Sequence, residues 1–137
     1  STFDGVDIAT RDAVLTSTTT TANAALPKAG GTLTGTVTVS ANAVGTVTTD
    51  NDGSFAMSAT NNFKCTPTGN FTLTFTSIVA QSGNILLVNS GGHTVAAHAN
   101  TKVDANLLAT VSTAGTYLLS YFSDGTNVYM TNSAIYT

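Results

Sequence analysis

The chain has 137 residues, a net charge of −3 and only 8% charged side chains, with 42% apolar residues; a typical soluble domain carries about 25% charged residues. Its four basic residues, Arg11, Lys28, Lys64 and Lys102, form no cluster, which excludes a nucleic-acid footprint and a polybasic membrane contact. Its longest apolar runs, such as Ile85–Val88, are too short to span a bilayer.

Trp and Glu are absent, and Thr, Ser, Asn and Gly fill the polar positions. Branched Thr suits a pleated surface, and Asn, Gly and Asp suit turns, so the composition predicts an all-β protein. The opening Ser-Thr-Phe-Asp-Gly-Val-Asp is polar and acidic and is not expected to act as an export signal. Residues 1–31 read as a short helical or extended connector, in which Asp4 would cap a helix and Asp7 and Arg11 would form a surface pair. Ile8, Leu15 and Ala22 recur every seven residues, one seam of a short coiled coil, with Leu26 continuing the apolar series. Arg11 and Thr18 occupy the other seam positions, and the Thr18–Thr21 run is a poor helix former. Such a helix is not stable alone, so it is expected to pack against copies of itself.

Pro27 and Gly30-Gly31 end the connector, and a β-domain is expected over 32–137. Thr32 to Val39 alternates, with Leu33, Gly35, Val37 and Val39 on one face, which predicts a half-buried strand. Further strands are expected at Val44–Thr49, at Phe55, Met57 and Ala59, at Phe63 and Cys65, and at Phe71, Leu73 and Phe75. Asp50–Gly53 and Pro67–Asn70 read as turns between them, and Gln81–Asn84 as a turn leading into a buried strand Ile85–Val88. Strands at Thr94–His98 and within Val103–Val111 follow, then Thr116–Phe122, with Tyr117, Leu119 and Tyr121 on one face and Leu118 and Phe122 on the other. Ser123–Thr126 is the clearest hairpin signal, returning through Val128–Met130, and Ala134–Tyr136 closes a last strand. Many short strands at regular spacing imply a β-sandwich or a jelly-roll-like domain.

The residues offer no catalytic constellation: there is no Gly-x-Ser-x-Gly elbow, and without Glu a carboxylate pair would need two distant Asp. The chain is therefore expected not to be an enzyme and to need no cofactor. Asp50-Asn51-Asp52-Gly53-Ser54 has oxygens at alternating positions but lacks the length and bidentate Glu of a calcium loop, and reads as a polar turn. His93 and His98, five apart, fall on opposite faces of a strand, so no metal site is expected. The single Cys65 reads as a small buried hydrophobe; a bridge between chains would require two Cys65 side chains to meet. Tyr117, Tyr121, Tyr129 and Tyr136 either pack the core with hydroxyls at its rim or stack on sugars, and their alternation with core positions favours packing. Asp124, Gly125, Thr126 and Asn127 form the best candidate for an exposed contact loop.

Leu26-Pro27-Lys28-Ala29-Gly30-Gly31-Thr32-Leu33-Thr34-Gly35 resembles the Leu-Pro-Lys-x-Gly-Gly-Thr-Met/Leu-Thr-Gly motif of bacteriophage tail-fibre and related virion fibre proteins. Thr2–Asp12 is similar to a Thr-Val-Asp-Gly-Arg-Asp-Val type segment of marine phage fibres, with Val6 and Ile8 standing where that pattern has Arg and Val. The stretch from 63 to 136 resembles a C-terminal β-domain of phage structural proteins through Thr72–Phe75, Gly83–Asn89, Gly92–Val95 and Asp124–Tyr129. Two tryptophans usual in that domain are replaced, by Lys102-Val103-Asp104 and by Val128. The resemblance implies a virion structural protein of fibre type. It would be a homotrimer through Ile8, Leu15, Ala22 and Leu26, bound to tail, baseplate or capsid proteins, with Asp124–Asn127 meeting a host surface glycan. Two alternatives are a capsid decoration or head-fibre protein and a carbohydrate-binding module.

Overall fold

The computed structural model describes residues 2, 3, 5–24, 31–104 and 106–137. The chain divides into two compact units, Ser1–Asn42 and Ala43–Thr137. The expected boundary at 31 and the expected strand over 32–39 thus both fall within the first unit.

In the first unit, β1 (Thr2–Phe3) and β2 (Val6–Asp7) form a minimal antiparallel pair that runs directly into α1 (Ile8–Ala24). Asp7 caps the helix: its carboxylate accepts the backbone N–H of Ala9 at 3.1 Å and the hydroxyl of Thr10 at 2.6 Å. The Thr10 hydroxyl is the main reason its carboxyl is held below the usual range. The carboxylate therefore serves the helix end rather than the surface pair expected with Arg11, while the Asp4 cap falls outside the described residues. The threonines that weaken helix propensity are turned inward on the helix itself, Thr16 donating to the Asp12 carbonyl and Thr20 to that of Thr16. Residues 31–46 form neither helix nor strand, so the expected strand Thr32–Val39 does not form in the single chain. Alternation makes a segment fit to be a strand, but a strand exists only where a neighbour supplies its ladder.

The second unit is β-rich, with nine strands among its described residues. β3 (Val47–Thr49), β5 (Asn62–Cys65), β7 (Ala80–Asn89), β9 (Thr101–Val103), β10 (Gly115–Asp124) and β11 (Val128–Asn132) build a six-stranded sheet in the order β3-β5-β7-β10-β11-β9. β4 (Ser54–Ala56), β6 (Phe71–Thr76) and β8 (Val95–Ala97) build a three-stranded sheet in the order β4-β6-β8. From β3 to β9 the chain alternates between the two sheets. Strands β3 to β6 therefore each meet a sheet neighbour one turn of the coil later and run parallel to it, as β3–β5, β4–β6, β5–β7 and β6–β8. Only β10 folds back antiparallel, against β7 and β11, while β9 joins the edge parallel to β11. A jelly roll is antiparallel; here the large sheet is mixed and the small one parallel, because turns such as Pro67–Asn70 move the chain to the other sheet instead of returning it along the same one.

Period-two alternation places one core between the sheets. Phe63, Ile85 and Leu119 stand side by side in register, as do Cys65, Leu87 and Tyr117, and all six are buried. Phe55 of the small sheet lies 5.2 Å from Phe63 of the large one, and Phe75 lies 5.1 Å from Tyr121, so both sheets share these rings. Three expected elements differ. Gln81–Asn84 is the interior of β7 rather than a turn. Within Val103–Val111 a short helix, α2 (Leu107–Val111), replaces the strand: Asp104 accepts the N–H groups of Asn106 and Leu107, and Leu107 and Val111, four apart, are buried on its inner face. Ala134–Tyr136 makes a single bridge from Tyr136 to Thr116 rather than a strand.

Cys65 is fully buried, which rules out the bridge between two folded chains. Burial, with lesser contributions from Asp50 and Asp52, pushes its thiol up to about 12. A free thiol titrates near 8.5, and only the thiolate reacts. Thiol reagent at pH 8 is therefore expected to modify the folded chain at least about a hundredfold more slowly than the chain in denaturant. Equal rates, read by mass spectrometry, would mean that this core opens freely.

Candidate functional site

The hairpin between β10 and β11 carries the expected contact loop at its tip. Ser123, paired with Val128, is buried, and its hydroxyl oxygen accepts the Gly125 N–H at 3.1 Å. Gly125 adopts φ +92°, a conformation that a side chain disfavours. Asp124 Oδ1 accepts the N–H groups of Thr126 at 2.8 Å and Asn127 at 2.7 Å, and the Tyr129 hydroxyl reaches Oδ2 at 3.4 Å. The two backbone donors, Asn127 first, hold the Asp124 carboxyl below its usual range. Asp124 is thus occupied in shaping the turn. Thr126 stands exposed at the tip, and Asn127 is half-buried.

Immediately behind the tip, on the outer face of the large sheet, Phe122 and Tyr129 are direct cross-strand partners, 58% and 47% exposed. They flank a groove of about 380 Å³ that also takes in Ser120, Tyr121, Met130 and Thr131. Lys102 of β9 is the register partner of Tyr129 on the far side, its ammonium donating to the Ala99 carbonyl at 2.6 Å. The result is a paired aromatic surface bordered by hydroxyls. Alternation along β10 sets Phe122 on the face opposite Tyr121, and its role comes from its register with Tyr129 across the hairpin.

The four tyrosines divide. Tyr117 and Tyr121 are core residues with anchored hydroxyls, Tyr117 sharing a 2.6 Å hydrogen bond with Thr113, and Tyr121 donating to the Asn61 carbonyl at 3.0 Å. Tyr129 and Tyr136 are exposed. On α1, Ile8, Leu15 and Ala22 are all exposed in the single chain, as is Val14, whereas Leu26 lies outside the described residues.

The remaining candidates serve the fold. Asp52 accepts the Ser54 N–H at 2.8 Å, and the Asn51 side chain accepts that of Thr66, so the acidic stretch is a polar turn. Burial first, then the neighbouring Asp52, pushes Asp50 up, and the hydrogen bond from Asp50 pulls Asp52 down. His93 is held through its backbone by Asn89, and His98 accepts the Asn100 N–H on Nδ1. Among the described residues, no three His, Cys or Asp side chains approach closely enough to hold a metal ion. Compared with family models, with curated proteins and with solved structures, the chain finds no match.

Proposed function

We propose that this chain is a bacteriophage virion structural protein of fibre type, a homotrimer whose β-sandwich unit is held out from the particle and meets the host surface through the β10–β11 hairpin. The observation that carries the self-association is α1: seventeen residues long, rich in Thr, with Ile8, Val14 and Leu15 all exposed. A helix of this length and composition is marginal in water unless its apolar side chains pack. Copies of the same helix supply that packing, and low charge lets identical surfaces approach. Three as the number, and the virion as the place, follow from the resemblance of Leu26–Gly35 to fibre proteins. The two sheets around one core support the sandwich description. The Phe122–Tyr129 pair supports a glycan as the host ligand, since aromatic rings present a flat apolar face to the C–H side of a sugar while neighbouring hydroxyls hydrogen-bond its rim.

Light scattering of the purified chain is expected to give three times the chain mass, and antibody against it should label the tail of intact particles. Label spread over the head would make it a decoration protein instead, and a monomer absent from particles would overturn the proposal. Replacing both Phe122 and Tyr129 by Ala is expected to weaken binding to host cells at least tenfold while costing only about 1–2 kcal/mol of stability, because both rings are about half exposed and pair with each other across the strands. Unchanged cell binding would remove this surface from the receptor contact.

A further inference from the structure

The coil of parallel strands begins with an open edge. Among the described residues β3 is the outermost strand of the large sheet and has a partner on one side only, β5. Val47 on that edge is 61% exposed, and Val44 just before it 93%. Unpaired edges accept further strands unless charge, proline or a covering element blocks them. Residues 31–49 contain no charged residue and no proline.

The same chain carries a strand without a ladder. Val47, Thr48 and Thr49 pair with Asn62, Phe63 and Lys64, a step of fifteen residues. One such step before β3 lie Thr32, Leu33 and Thr34, the start of the alternating stretch that forms no strand in the single chain. In that register Leu33 falls in line with Thr48, Phe63 and Ile85 on the core side, and Thr34 with Thr49, Lys64 and Leu86 on the outer side. Leu33, Val37 and Val39, which share one face of the segment, are 57–59% exposed. A further turn of the coil built by the chain on itself would also need a strand in the small sheet. A step of fifteen would put Ser40 beside the buried Phe55, a hydroxyl where the core needs an apolar side chain, and the small sheet's own step of twenty, from Phe55 to Phe75, would put Gly35 there, with no side chain at all.

We infer that the segment Thr32–Val39 of one copy adds as a parallel strand to the β3 edge of a second copy, with Thr34 beside Thr49. Main-chain hydrogen bonds supply the attachment, and Leu33 sets the register. The donor segment and the acceptor edge are different parts of the chain. Passed on from copy to copy, such a contact makes a ring where the rotation closes, of which a trimer is one; a reciprocal exchange would make a dimer and an unclosed series a filament. The inference rests on the self-associating reading above and specifies its joint.

The test uses the full chain with Cys65→Ala, carrying Thr34→Cys in one preparation and Thr49→Cys in another. The two are refolded together and oxidised, with Thr34→Cys plus Thr131→Cys as control. Side-by-side strand positions lie within disulfide reach. The expected result is a disulfide between chains for the 34–49 mixture, at least tenfold above the control. Leu33→Asp, at a site exposed in the single chain, is expected to weaken self-association at least tenfold with the melting of the β unit unchanged. No 34–49 link in a sample that still scatters as an oligomer overturns the strand addition and leaves the trimer standing. A monomeric mass overturns both. A link formed within one chain that carries both Thr34→Cys and Thr49→Cys, oxidised at high dilution, shows the strand adding to its own copy, which also overturns the inference.

Discussion

Gly83→Ala is expected to be the most damaging glycine-to-alanine change among the described residues. Gly83 lies inside β7, paired with Tyr121 of β10, at the point where Asn61 crosses the strand. A Cβ there would stand 1.7 Å from the Asn61 carbonyl oxygen and 2.6 Å from the Tyr121 hydroxyl. That carbonyl is not free to move away. It accepts the Asn84 N–H at 3.1 Å and the Tyr121 hydroxyl at 3.0 Å, and the Asn61 side chain donates to the Ser82 carbonyl at 2.9 Å. Relief requires β5 or β7 to shift, opening the ladder through Asn62 and Asn84. Overpacking of this kind costs about 1–3 kcal/mol even where side chains alone must give; with backbone on the other side, about 4 kcal/mol or more is expected. Urea unfolding measures it, with Gly69→Ala as control, because a Cβ at Gly69 meets nothing within 4 Å. Equal midpoints for the two variants would mean that the crossing at Asn61 is loose. Tyr121→Phe removes two hydrogen bonds, to the Asn61 carbonyl and from the Gln81 amide, and should cost about 2 kcal/mol, which separates the clash with the carbonyl from the loss of the hydroxyl network.

Gly83 also marks where reading the sequence stops. Within Gln81-Ser82-Gly83-Asn84 every residue is a good turn former, and local chemistry alone makes the stretch a turn. Its glycine serves instead to let another backbone approach, and that need comes from Asn61, twenty-two residues earlier. The same division runs through the whole fold. Strands with large apolar residues at alternate positions were legible: Phe71, Leu73 and Phe75 are all buried, as are Tyr117, Leu119 and Tyr121. Which strand pairs with which was not legible, because a turn that folds back and a turn that crosses to the opposite sheet use the same residues. Thr32–Val39 has a strand's pattern without a ladder, since pattern fixes the face and not the neighbour. Val103–Val111 went the other way: the carboxylate of Asp104 offers two backbone N–H groups a cap, and the chain takes a helical turn. At the candidate site, the tip Asp124–Asn127 was readable from its turn residues. The aromatic pair behind it was not, because the exposure of Phe122 depends on which face of β10 the second sheet covers.

Asn89→Ala is the second large effect, and it concerns hydrogen bonds rather than space. Asn89 ends β7 and is completely buried. Its amide nitrogen donates to the His93 carbonyl at 2.8 Å and to the Val111 carbonyl at 2.9 Å, and its oxygen accepts the His93 N–H at 2.8 Å. One side chain thus closes the loop leading to β8 and satisfies the carbonyl at the end of α2, a group that the helix itself cannot pair. Alanine would leave three backbone groups without their partner. A buried polar group left unpaired costs about 1–3 kcal/mol, and the loop is partly accessible, so water recovers some of it; the expected loss is about 3 kcal/mol. For a unit of this size each kcal/mol moves the melting temperature by about 4–8 °C, so a fall of at least about 12 °C is expected in calorimetry. Asn89→Asp distinguishes the donor from the acceptor role. It keeps the oxygen for His93, removes the donor to two carbonyls and buries a carboxyl facing them, which raises that carboxyl's pKa. Its folded-state pKa then lies above the unfolded value, so the Asp variant should lose stability as pH rises through 4 to 7, while the Ala variant changes far less over that range. Two variants with the same pH profile would mean that the Asn89 amide is replaceable by solvent, and that β8 and α2 are held by their apolar contacts alone.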